Sequence, residues 1–261
     1  MRTPVGPSIQ LALVLADTLA DFSVDALLHV WRHCSPSQRL ERRLETLERG
    51  GMLEASTASD DLGRVIRITE AGRLAALGGR DPVARWNRAW DGRWRLVVFD
   101  VPEAHQGLRL KLRRKLHTLG CGYLQDSVWI TPDPMDELRR TFASERVDAA
   151  TITFFEAVPC GGESHQDLVA GAWDFARLDS LYSDYRAFLN RKTSALAGRS
   201  ATPATRHAWL TREWRLWQAV ARRDPFLPDA LLPAGYLGKQ AWSERRAILG
   251  ALASDLAKST R

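Results

Sequence analysis

The sequence predicts an α+β protein built from three consecutive segments, about 1–80, 81–160 and 161–261. Three observations carry this. The first segment passes from helical to strand-like apolar spacing, a near-continuous apolar run at Trp94–Phe99 opens the second, and the third shows helical spacing alone. Gly78-Gly79-Arg80-Asp81-Pro82 and Pro159-Cys160-Gly161-Gly162 punctuate the chain between them.

In the first segment Ile9 to Leu19 is an apolar helix candidate. Asp21-Phe22-Ser23 offers an N-cap to a second helix, with Val24, Leu27, Leu28 and Trp31 at i, i+3, i+4 and i+7. Ser35 caps a third, where Pro36 suits the first position and Gln38 completes an S-x-x-Q box. Leu40, Leu44 and Leu47 form its apolar stripe, and Gly50-Gly51 ends it. Met52 to Ala55 and Arg64 to Ile68 read as strands around a polar turn, and Thr69-Glu70-Ala71-Gly72 opens another short helix. Three helices followed by a two-stranded ribbon is the order of a winged helix-turn-helix.

The leucine stripe of the third helix leaves Gln38, Arg39, Arg42, Glu45 and Arg49 outward. Ser37, Gln38, Arg39 and Arg42 occupy the leading half of that face, with Arg43 on its flank. Arg and Gln read guanine and adenine edges in the major groove, and a helix N-terminus favours a phosphate. Arg64 and Arg67, on the second ribbon strand, are candidates for the DNA backbone or minor groove. The same arginines alternate with Glu41, Glu45 and Glu48, which is also the pattern of a solvated, ion-paired helix face.

The second segment orders its elements β-α-β-β-α-β, the ferredoxin-like arrangement. Trp94–Phe99 is a buried strand ending at Asp100-Val101-Pro102, and Leu108, Leu112, Leu116 and Leu119 mark the helix after it. Tyr123–Gln125 and Val128–Thr131 form a hairpin, Pro134–Ser144 a helix, and Ala150–Ala157 the last strand. Arg109, Lys111, Arg113, Arg114 and Lys115 surround the leucine stripe, either to bind phosphate or to keep the domain solvated. Asp100 is placed to ligate a metal or to cap the turn.

The third segment is all-helical. One stripe is Leu178, Leu181, Tyr185, Phe188 and Leu189, and another is Trp209, Leu210, Glu213, Trp214, Trp217 and Val220. A third is Ile248, Leu249, Leu252 and Leu256. Tryptophans at this spacing form core, or line a pocket for an aromatic or acyl effector.

Composition narrows the function classes. At 45% hydrophobic and 26% charged residues, collagen-like, coiled-coil and wholly disordered classes are excluded. No apolar run approaches the ~20 residues of a membrane span, and the first residues lack a secretory hydrophobic region, so no membrane partner and a cytoplasmic location are expected. A formal charge of +6 permits a polyanionic partner. Cys34, Cys121 and Cys160 form no C-x-x-C pair, and His29 and His33, at i, i+4, lack a third ligand. With no P-loop, G-x-G-x-x-G or nucleophilic triad, no metal, cofactor or catalytic residue is expected.

The run Trp90-Asp91-Gly92-Arg93-Trp94-Arg95-Leu96-Val97-Val98-Phe99-Asp100-Val101-Pro102-Glu103 resembles the PaaX family, the repressors of phenylacetate catabolism. The resemblance continues through Leu108-Arg109, Leu112-Arg113-Arg114, Leu119-Gly120 and Val128-Trp129-Ile130. It returns at Tyr185-Arg186-Ala187-Phe188-Leu189, Glu213-Trp214-Arg215 and Arg223-Asp224-Pro225. It implies a dimeric repressor whose winged helix binds a double-stranded, palindromic DNA operator, and whose effector is an acyl-CoA, phenylacetyl-CoA in the founding members. It also implies a middle domain similar to the small ferredoxin-like nuclease subunit of CRISPR spacer acquisition, with Asp100 at the place of that subunit's metal-binding Asp. The expected function is therefore a DNA-binding regulator, not an enzyme. A metal-dependent nuclease of the central domain is the alternative.

Overall fold

The computed structural model describes residues 22–23, 40–57, 64–101, 106–136, 139–140, 152–196 and 202–258. The two helices expected before residue 32, the Ser35–Gln38 capping box, the ribbon tip and most of the helix expected over 134–144 lie outside these residues. In chain order the elements are β1 (Phe22–Ser23), α1 (Leu40–Arg49), β2 (Leu53–Thr57), β3 (Arg64–Ile68), α2 (Glu70–Leu77), α3 (Pro82–Trp86) and β4 (Trp94–Phe99). There follow α4 (Gln106–Thr118), β5 (Gly122–Gln125), β6 (Val128–Thr131), β7 (Ile152–Ala157), α5 (His165–Ala172), α6 (Phe175–Leu196) and α7 (Pro203–Ala221). A 3₁₀ turn at Asp229–Leu231 precedes α8 (Gly238–Lys258). Two compact units result, one of residues 1–81, 182–219 and 237–261, the other of 82–181 and 220–236.

In the first unit β3 is the middle strand of a three-stranded antiparallel sheet, between β1 and β2. The pairing of Phe22 with Ile66 and Ser23 with Val65 has no sequence signal, because two residues are too few to show a period. The β2–β3 ladder runs from Leu53 opposite Ile68 to Thr57 opposite Arg64, and buries Leu53 and Ile66 beside Leu44 and Leu47 of α1. After α1 the chain turns on Gly51, whose positive φ of 66° suits glycine, and Met52 N–H donates to Leu47 O at 2.8 Å. Residues 182–219 and 237–261 supply the helical part of this core, with Tyr182, Tyr185, Leu189, Trp217 and Ala241 fully buried.

The second unit contains a four-stranded antiparallel sheet in the order β5-β6-β4-β7. Ranked by position in the chain this is 2-3-1-4, the ferredoxin-like topology. Burial on both sides of β4 explains its near-continuous apolar run. Val97 and Phe99 pack with Trp129 against Leu112 and Leu116 of α4, whereas Trp94 packs with Ile130 against Val169 and Ala172 of α5 and against Leu227 and Leu231. Arg95 interrupts the run and is buried. Its guanidinium donates to Asp91 Oδ1 at 2.8 Å and to Glu156 Oε1 at 3.3 Å. The hydrogen bonds from Arg95 hold the Asp91 carboxyl at about 2, below the usual carboxylate range. Asp133, also buried, accepts from Arg85 and from Arg88 Nε at 2.7 Å, and so ties α3 and the chain beyond it to the end of β6.

Candidate nucleic-acid interface

On α1 the buried Leu44 and Leu47 leave Arg42, Glu45, Thr46 and Arg49 exposed, as the apolar stripe requires. Thr46 Oγ1 donates to Arg42 O at 2.8 Å and Arg49 Nε donates to Glu45 O at 3.3 Å, so both side chains lie back along their own helix. Of the other predicted DNA-facing residues, Ser37, Gln38 and Arg39 lie outside the described residues. Arg43 belongs to α1 and Arg64 to β3, but their side chains are not described. Arg67 is exposed on β3, directly across the ladder from exposed Glu54.

What holds α1 to the ribbon is the start of α2. Thr69 Oγ1 donates to Gly51 O at 2.8 Å and accepts from Gly72 N–H at 3.1 Å, and Thr69 N–H donates to Met52 O at 3.1 Å. One threonine thus caps α2 and fastens it to the turn that follows α1. Gly72 is buried where α2 crosses that turn, and a Cβ there would lie 2.0 Å from Met52 O.

The far end of α2 is anchored to α7. Trp217 Nε1 donates to Leu77 O at 3.1 Å, and Arg73 pairs with buried Asp81 at 2.7 Å. Behind Trp217 stands a buried ionic cluster. Glu213 accepts from Tyr185 Oη at 2.6 Å and from Arg245 Nε at 2.8 Å, with Glu213 0% and Arg245 3% exposed. The Arg245 guanidinium also covers the rings of Trp217 and Trp242, 5.0 and 5.6 Å from their centroids. Burial and the Glu213 carboxylate push the Tyr185 hydroxyl well above its ordinary range, which keeps it a neutral donor. The sequence pattern places Glu213 in an apolar stripe but names no partner. An acid in such a stripe is itself the signal, since a buried carboxylate needs a cation.

In the second unit Asp100 is exposed just beyond β4. Among the described residues no group of three or more His, Cys, Asp or Glu is gathered to hold a metal ion. Cys121 is buried, its thiol pushed up to about 12 by burial, while Cys160 is exposed. His29, His33 and Cys34 lie outside the described residues. A cleft of about 630 Å³ opens between the end of α4, the start of α6 and residues 222–225. Trp173, Phe175 and Leu181 give it an apolar wall, and exposed Arg177, Arg222 and Arg223 give it positive charge.

Two family models match adjoining stretches of the chain, "PaaX protein central Cas2-like domain" over residues 87–169 and "PaaX-like protein C-terminal domain" over 173–258. The chain belongs to the PaaX family. Its α+β architecture therefore has a central Cas2-like domain, and within the PaaX match lie β4 to β7, the cleft's α4 wall and the first residues of α5. The second PaaX match takes in α6, α7 and α8, including Glu213 and Arg245. Among solved structures, "Uncharacterized protein Rv0674 from Mycobacterium tuberculosis" is similar with a TM-score of 0.56 and 21% identity, over 99% of this chain and 100% of that one. At that identity the likeness is one of fold. No curated protein matches. No helix among the described residues is long and apolar enough to cross a membrane.

Proposed function

We propose that this protein is a sequence-specific DNA-binding transcriptional regulator, a dimeric cytoplasmic repressor released by a small acyl-CoA-type effector such as phenylacetyl-CoA. Membership of the PaaX family, resting on two adjoining matches in chain order, carries this reading. The N-terminal segment is read as a winged helix-turn-helix. The ribbon, the helix before it and the helix after it are supported by the β2–β3 ladder and by the Thr69 cap. In this reading Gln38, Arg39 and exposed Arg42 read base edges, while Arg43, Arg64 and Arg67 position phosphates.

The cleft of the second unit suits the effector in kind. It is of small-molecule size, with an aromatic wall for an acyl or aryl group and three guanidinium groups for phosphates. Its lining comes from both the central and the C-terminal stretches of the chain.

The test is a mobility-shift titration on the promoter beside the chain's own gene. Arg42→Ala is expected to weaken specific binding by roughly 1–3 kcal/mol, and phenylacetyl-CoA to release the wild-type protein from DNA. Unchanged affinity for the variant removes the base-reading role of Arg42. The proposal includes no catalysis. Cleavage of single-stranded RNA or duplex DNA with Mg²⁺ or Mn²⁺ that is lost in Asp100→Ala would instead favour a nuclease.

A further inference from the structure

Helix α4 is densely basic. Its 13 residues include Arg109, Lys111, Arg113, Arg114 and Lys115 and no acid. The chain has 37 basic and 31 acidic residues, so setting these five aside leaves 32 against 31 and removes almost the whole +6 excess. Buried Leu112 and Leu116 fix the side turned to the sheet. On a helix of ~3.6 residues per turn the five cations then fan over the outward arc, Arg109 and Arg113 on one flank, Arg114 at the crest, Lys111 and Lys115 on the other. Lys111 and Arg114 are exposed, and the remaining three are half-buried along the flanks.

Carbonyls, not carboxylates, orient one flank. An Arg109 guanidinium nitrogen donates to Val101 O at 2.7 Å, and one of Arg113 donates to Asp126 O at 3.1 Å while that group stands over the Tyr123 ring. A carbonyl positions a guanidinium and leaves its charge uncancelled, so the pair faces outward pre-ordered and cationic. No single small anion meets all five cations, which fan over both flanks and the crest across about 9 Å of helix. A polyanion with one charge per ~1.7 Å of axis does.

We propose that the outward face of α4 is a sequence-independent docking surface for the phosphate backbone of duplex DNA, in addition to the N-terminal ribbon and helix. The choice of duplex rests on the regulator reading above. The basic residues that bind all belong to α4.

The test is fluorescence anisotropy on a labelled random duplex of about 24 base pairs, titrated between roughly 50 and 200 mM NaCl, with wild type and Lys111→Gln/Arg114→Gln/Lys115→Gln. Arg109 and Arg113, which hold the two carbonyls, are left in place. The variant is expected to bind at least about tenfold more weakly near 0.1 M salt, with the slope of log K against log salt shallower by roughly 2–3, about 0.9 for each phosphate that is no longer neutralised. Arg114→Gln alone, the mildest change, is expected to lower the slope by about one with thermal unfolding unchanged, which guards against misfolding of the triple variant. An unchanged slope with affinity within twofold in both variants overturns the proposal. So does tighter α4-dependent binding of single-stranded DNA or RNA of the same sequence. Failure of the two readings is separable. A chain that binds random duplex through α4 but prefers no promoter keeps this inference and loses the regulator reading, and a chain that prefers its promoter with the slope unchanged in both variants does the reverse.

Discussion

Glu213→Ala is expected to lower the unfolding free energy of the first unit by about 3–5 kcal/mol, read as a shifted urea midpoint in circular dichroism. The carboxylate is wholly buried and accepts from both Tyr185 and Arg245, which is itself 3% exposed. Its removal takes the counter-charge from a guanidinium that remains out of water, and the cost of a buried charge without its carboxylate exceeds that of losing a hydrogen bond. Tyr185→Phe should therefore cost only about 1–2 kcal/mol. Glu213→Leu with Arg245→Met should recover most of the loss, because both charges go together and the volume is kept. A Glu213→Ala midpoint within error of wild type would mean that the cluster does not hold this core. Arg245 covers Trp217, and Trp217 holds the last carbonyl of α2, so DNA affinity is expected to fall with stability.

Gly72→Ala is expected to be almost as damaging, about 3 kcal/mol, at the upper end for overpacking. The new methyl would meet Met52 O at 2.0 Å and Ile68 Cγ1 at 2.9 Å. Ile68 can change rotamer. The Met52 carbonyl cannot retreat easily, since it accepts from Thr69 N–H within the turn that joins α1 to β2. The start of α2 must lift away, and the Thr69 hydrogen bonds to Gly51 and Met52 stretch with it. Loss of duplex binding at a temperature where the variant still shows native helix content would place the damage in the α1–ribbon geometry. A variant with wild-type melting and binding would show that the crossing relaxes at no cost.

Much of the fold was legible because its signals are local. The leucine spacing of α1 and α4, the Gly50-Gly51 stop, the Thr69 cap and the hairpin at Tyr123–Thr131 each depend on residues within a few positions of one another. β1 was not legible, being two residues whose strand partner among the described residues lies more than forty positions away. Nor was α3, whose first residue, Pro82, closes the punctuating run from Gly78, although Pro82 is well suited to a first helical turn and Arg85 is held by Asp133. At the candidate site the outward placement of Arg42 followed from the stripe alone, whereas the roles of Gly72 and Glu213 depend on partners far along the chain.

By itself, then, the order of residues determined most of the element types, the α+β class and which helix faces are basic, since these depend on periodicity, caps and composition, while the family followed from the resemblance of its motifs. Only the tertiary structure decided that β4 buries both faces, that Glu213 has Arg245 and Tyr185 as partners, and that α2 is fastened at Thr69 and at Leu77. The reason is physical. Helix and strand patterns arise from neighbours a turn or a pleat apart, but a buried charge or a close backbone crossing is set by a partner whose position no local pattern encodes.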